Sequence, residues 1–116
     1  MADKRWVDGF GAAITVCDAE GIVLDMNEKA SKTFAKDGGA SLIGKSLVGC
    51  HPEPARSKLL KMLRDGTVNS YTIEKNGVKK MIYQAPWHEN GEYKGFVEMS
   101  FEIPFEMPHF VRKPKQ

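Results

Sequence analysis

The stretch from Ala13 to Ala30 constrains the fold more than any other part of this chain. Ile14 and Val16 alternate with Thr15 and Cys17, the period-two pattern of a half-buried strand. Asp18 and Gly21 bracket a four-residue turn. An Asp there bonds its own downstream backbone, and a Gly takes positive φ without a Cβ penalty. Val23, Leu24 and Met26 form a second apolar run. Asn27 then reads as an N-cap for a helix over 28–34, in which Ala30 and Phe34 share one face. The order is strand, tight turn, strand, helix.

The far end of the chain is β. Tyr71 and Ile73 alternate with Thr72 and Glu74, and Asn76-Gly77 predicts a two-residue hairpin turn. Val78 to Trp87 reads as the returning strand, with Pro86 suited to a sheet edge or a strand terminus. Glu89-Asn90-Gly91-Glu92 makes the next turn. Gly95 to Ile103 is the last strand, with Val97, Met99, Phe101 and Ile103 on one face and Phe96, Glu98, Ser100 and Glu102 on the other.

Between these β regions the pattern turns helical. Lys36 to Ala40 reads as a loop, followed by one helical turn ending near Gly44 and an apolar anchor at Leu47 and Val48. Cys50-His51-Pro52-Glu53-Pro54 forces a turn. From Pro54 to Arg64, Ala55, Leu59, Leu60, Met62 and Leu63 make an apolar stripe opposite Arg56, Lys58, Lys61 and Arg64, and Gly66 closes the helix. That basic face reads as solvated. Trp6, Val7 and Phe10 predict a short amphipathic cap over 1–12, and three prolines predict an irregular tail over 104–116, frayed at its end.

A length of 116 residues allows one domain, and a net charge of +2 gives no argument for nucleic acid. No apolar run approaches the length of a membrane span, and no signal peptide opens the chain. The expectation is a cytoplasmic protein whose Cys17 and Cys50, far apart and outside any CxxC, are free thiols. His51, His88, His109, Cys17 and Cys50 are too scattered for a metal site. No catalytic motif is present. Glu98 and Glu102, flanking Ser100, are suited to acid–base work if buried, and otherwise read as a solvated strand face.

Taken together, the Asp18-x-x-Gly21 turn, the Asn27-x-x-Ala30 helix start, Leu42-Ile43-Gly44-Lys45-Ser46-Leu47, His51-Pro52-Glu53 and the three-strand ending resemble a PAS domain over about residues 10–103. Gly49-Cys50-His51-Pro52 is similar to a bacterial group found alone or joined to hemerythrin-like domains. The resemblance implies an α+β fold, a PAS-like five-stranded antiparallel sheet with helices packed on one face. The division it suggests is a cap over 1–12, a domain over 13–103 and the tail. It also implies a hollow able to hold haem, a flavin or an organic acid, and dimerisation through the outer sheet face or a flanking helix. Haem stays open through Cys50 or His51 as axial ligand; the alternative is that Cys50 is a small buried residue and His51 part of a helix-entry turn. The flavin-photosensing type is set aside, because its Asn-Cys-Arg-Phe-Leu-like segment has no counterpart here.

On this reading Phe34, Ile43, Leu47, His51, Leu59, Met62, Leu63, Tyr83, Val97, Met99 and Phe101 are the ligand-site candidates. Their side chains either fill the core or line a pocket. Trp6, Phe10, Tyr71, Ile73, Trp87 and Phe96 are the interface candidates, with Trp6 and Phe10 alternatively covering part of the sheet within one subunit. The expected function is a non-catalytic sensory or protein-interaction module, homodimeric, acting on an output protein in trans. The alternatives are a small-ligand sensor, with haem or a metabolite between the sheet and helix 54–64, and a small α+β enzyme.

Overall fold

The first hairpin forms as its residues dictate in the computed structural model, which describes residues 5–115 and not the side chain of Cys50. The readings of Cys50 as haem ligand, core residue or free thiol therefore lie outside the described residues. β1 (Ala13–Asp18) and β2 (Val23–Met26) pair antiparallel. Asp18 closes the turn: its Oδ1 accepts from the amides of Glu20 at 3.0 Å and Ile22 at 2.9 Å. Gly21 is buried with φ +85°, and a Cβ there would stand 3.2 Å from both Leu63 Cδ1 and Val48 Cγ2. A glycine lets the turn tuck under the helices.

Asn27 caps α1 (Glu28–Thr33) and does more than cap it. Oδ1 accepts from Ala30 N at 3.0 Å and from Ile14 N at 2.9 Å. Nδ2 donates to the carbonyls of Val7 and Ala12, each at 2.8 Å. One buried amide thus joins the N-terminal segment, β1 and α1. That segment is a 3-10 turn, Trp6–Gly9, lying against α1. Trp6 and Phe10 form an edge-to-face pair at 5.8 Å and remain exposed.

Two 3-10 turns, Ala35–Asp37 and Gly39–Leu42, stand where a loop and a single turn were expected. α2 (Leu47–Cys50), a four-residue turn capped by Ser46, stands where only an apolar anchor was read. α3 (Ala55–Asp65) follows and ends at Gly66 in the left-handed region, as the stripe and its terminator predict. β3 (Asn69–Lys75), β4 (Val78–Glu89) and β5 (Glu92–Ile103) complete an antiparallel sheet in the order β2-β1-β5-β4-β3. Both Asn-Gly turns take positive φ at both residues. The last hairpin is tighter than expected, since β4 runs on to Glu89 and β5 begins at Glu92, before Gly95. Pro86 lies inside β4, but two residues past Gln84, the last β4 residue paired with β3. The strand is single-edged there, so the missing amide breaks no ladder on that side.

The helices cover one face of the sheet. Ala13, Val23, Met26 and Ala30 make one buried cluster, with Phe34, Leu42 and Leu47 against it. Cys17, Leu63 and Phe96 make the other, with Leu59 and Met62 alongside. Tyr93 pins β5 to α3 by donating to Leu63 O at 2.8 Å.

Candidate ligand-binding site

Because β5 is the central strand, its register sets the floor beneath the helices. Glu98 pairs with Thr15 of β1 and Gln84 of β4, Gln84 pairs with Asn69 of β3, and Thr15 pairs with Met26 of β2. These residues share a face and form a mostly polar row across the sheet. On one side lies the row of Phe96, Cys17, Val23 and Pro86. On the other lies the row of Ser100, Ala13, Ile82 and Tyr71.

Above this floor is a cavity of about 510 Å³, within the range of small-molecule sites. Thr15, Cys17, Val23, Met26, Tyr71, Gln84, Phe96 and Glu98 line it from the sheet. Phe34, Asp37, Leu42, Leu47, His51 and Leu59 line it from the helices and turns.

The polar groups are ordered by one another. Asn69 Nδ2 donates to Gln84 Oε1 at 2.9 Å, which turns the other end of that amide inward. Gln84 Nε2 donates to Glu98 Oε2 at 2.9 Å. Oε1 of Glu98 takes no hydrogen bond among the described residues. Opposite, His51 Nδ1 lies 2.6 Å from Leu47 O. A carbonyl only accepts, so Nδ1 carries the proton and Nε2 is the uncommitted nitrogen. Burial, together with the Glu98 charge, pushes the Tyr71 phenol up. Burial likewise pushes the Cys17 thiol up, which keeps it neutral and unreactive at pH 7.

Several expected site residues fall elsewhere. Val97, Met99, Phe101 and Tyr83 do not face the helices: Met99 pairs with Ile14 and Tyr83, one step out of phase with Glu98. The assignment followed apolarity, but both faces of this sheet carry apolar residues, and the strand polarity of β5 is inverted relative to that rule. Glu98 is correspondingly half-buried in the cavity, while Glu102 is exposed. Ile43 is exposed, and Leu63 and Met62 pack beside the cavity without lining it. Phe34, Leu47, His51 and Leu59 line it.

The interface candidates divide as well. Phe96 is buried on the floor and Tyr71 lines the cavity, so neither belongs to the outer face. Ile73 is exposed, but its strand position gives it Tyr71's face. The misassigned face follows from the same inverted phase. Trp87 shares the face of Tyr83, and its indole N–H donates to Cys17 O at 3.1 Å. It does so across Gly95, where a Cβ would lie 2.0 Å from that same oxygen. No cluster of metal-ligating side chains occurs among the described residues.

No protein-family model and no curated protein matches the chain. Solved structures do. The PAS domain of BvgS from Bordetella pertussis is similar at 22% identity, with TM-score 0.57, over 84% of this chain and 81% of that one. The Aer2 receptor of Vibrio cholerae, a dual PAS–haem oxygen sensor, is similar at 22% identity and TM-score 0.58, over 84% of this chain and 99% of that one. A C-terminal domain from Streptococcus mutans is similar at 19% identity and TM-score 0.67, over 83% and 78%. The chain has the PAS fold, an α+β five-stranded antiparallel sheet with helices on one face.

Proposed function

We propose that this chain is a sensory module that receives a small molecule in the cavity between the sheet and α3. The observation that carries the reading is the hydrogen-bonded row Asn69-Gln84-Glu98 on a floor that also carries Phe96, Cys17, Val23 and Met26. A tightly filled core favours an apolar side chain at the centre of its sheet, because desolvating a carboxylate held by a single side-chain amide is costly. A binding site does, because a few placed polar groups fix a ligand's orientation. The fold likeness supports a sensory role, since solved neighbours include the sensor region of a histidine kinase and the Aer2 receptor.

Haem, which that receptor carries, suits this chain poorly. His51 offers one nitrogen, but none of the described lining residues is a Lys or Arg to meet propionates. Catalysis has no support in the cavity, where no nucleophile and base lie within hydrogen-bond reach of each other among the described residues.

Output is made in trans, in the cytoplasm, through a second chain at the other sheet face. That face carries Val16, Met81, Tyr83, Val97, Met99 and Phe101. No helix among the described residues is long and apolar enough to cross a membrane.

Native mass spectrometry of freshly purified protein tests the ligand reading. It expects an added mass of a few hundred daltons, or one acquired on incubation with the small-molecule fraction of a cell extract. A bare mass under both conditions contradicts it.

A further inference from the structure

The charge of the lining limits what the cavity accepts. Glu98 and Asp37 are its carboxylates, and no Lys or Arg lines it among the described residues. Neither carboxylate is ion-paired among those residues. Lys58 of α3 sits 5.9 Å from the Tyr71 ring centroid and does not line the cavity. Glu98 has one oxygen held by Gln84 and the other uncommitted. Around it stand Phe96, Leu59, Phe34 and the Tyr71 ring, able to hold an apolar or aromatic body. Resting on the ligand reading above, we propose that the cavity takes a small organic cation, an amine or amidine on an apolar body, with its positive group on Glu98. A charged donor supplies what the uncommitted oxygen lacks, as a charge-assisted hydrogen bond. An organic acid would meet the like charge of the half-buried Glu98, with the exposed Asp37 adding a second, more screened one.

The test is amide-resonance titration of the whole protein with matched probes at millimolar concentration. One set is tryptamine, N-acetyltryptamine, indole-3-ethanol and indole-3-acetate. The other is hexylamine, hexanol and hexanoate. The expected result is that the amines shift the resonances of Tyr71, Gln84 and Phe96, and bind at least tenfold more tightly than the neutral and acidic members. Glu98→Gln should bring amine and alcohol to within about twofold. Acetylation of tryptamine removes the charge without touching the protein, so the comparison stands even if the variant misfolds. Equal binding of amine, alcohol and acid overturns the charge preference but leaves the cavity a ligand site. Tighter binding of the acids, or no shift from any amine, overturns the proposal. The bound-mass experiment judges the ligand reading on its own.

Discussion

Asn27 shows how much one side chain organises here. Its four hydrogen bonds reach Val7, Ala12, Ile14 and Ala30. Asn27→Ala removes an N-cap, worth about 1 kcal/mol, and orphans buried backbone groups at about 1–3 kcal/mol. The expected loss in urea denaturation is therefore about 2–4 kcal/mol, and a loss under about 1 kcal/mol would contradict the hub. The capping role was readable from sequence, because it depends only on neighbours within one helical turn. The bonds to Val7 and Ala12 were not, because they depend on where a separate segment lies. The thiol of Cys17 makes a second residue-scale prediction. Burial raises it above its ordinary value of 9.0, and burial raises Tyr93 and Tyr71 too. A group whose pKa is higher in the folded state keeps its full stabilising effect below the unfolded value, and loses it as pH rises through the folded value. The urea midpoint should thus fall as pH rises above about 9, and Cys17→Ala should flatten part of that fall. An unchanged slope in the variant would remove Cys17 as a cause.

Elements bounded by strong local chemistry were legible. Asp18, Asn27, Gly66, Asn76-Gly77 and Asn90-Gly91 each mark a terminus that the structure reproduces. Elements that depend on packing were not. The turn Leu47–Cys50 and the 3-10 turns between Ala35 and Leu42 are too short to show a period. They stand where Leu42 and Leu47 reach Ala13, Val23 and Ala30. The facing of β5 failed for a different reason. Period two identifies a strand's two faces but not which one the helices cover, and apolarity misleads when the covered face holds a cavity with polar groups. The mid-strand Glu98, flanked in sequence by Val97 and Met99, was the available signal. One contact tests the seating of α3 on the sheet. Tyr93→Phe removes the hydrogen bond to Leu63 O, so unfolding free energy should drop by about 0.5–1.5 kcal/mol. No drop would mean that the apolar contacts hold α3 without it.

At the scale of the molecule, the sheet separates two surfaces with different chemistry. The helix side holds a mostly polar row beneath a cavity, and the far side holds an apolar array with Tyr83 exposed at 44%. Exposed apolar area of this kind fits a second chain. Light scattering after size exclusion should give a dimer at high concentration, and Met99→Lys should shift it toward monomer. A strict monomer in the unsubstituted protein would contradict the pairing. Overall architecture was the most legible level: three recognisable turns pair β1 with β2, β3 with β4 and β4 with β5, whereas the β1–β5 pairing that fixes the strand order carries no local signal. The cavity lining was less so: Phe34, Leu47, His51 and Leu59 were readable from apolarity and the Cys50-His51 turn, Glu98 was singled out but given no place in the cavity, and Gln84 and Thr15 emerged only from cross-strand register. The most direct test of the account is an amide-resonance map of the protein against the small-molecule fraction of a cell extract. The account predicts shifts confined to Tyr71, Gln84, Phe96, Glu98, His51 and Leu59. Shifts confined to Tyr83, Val97 and Met99, or none at all, would contradict it.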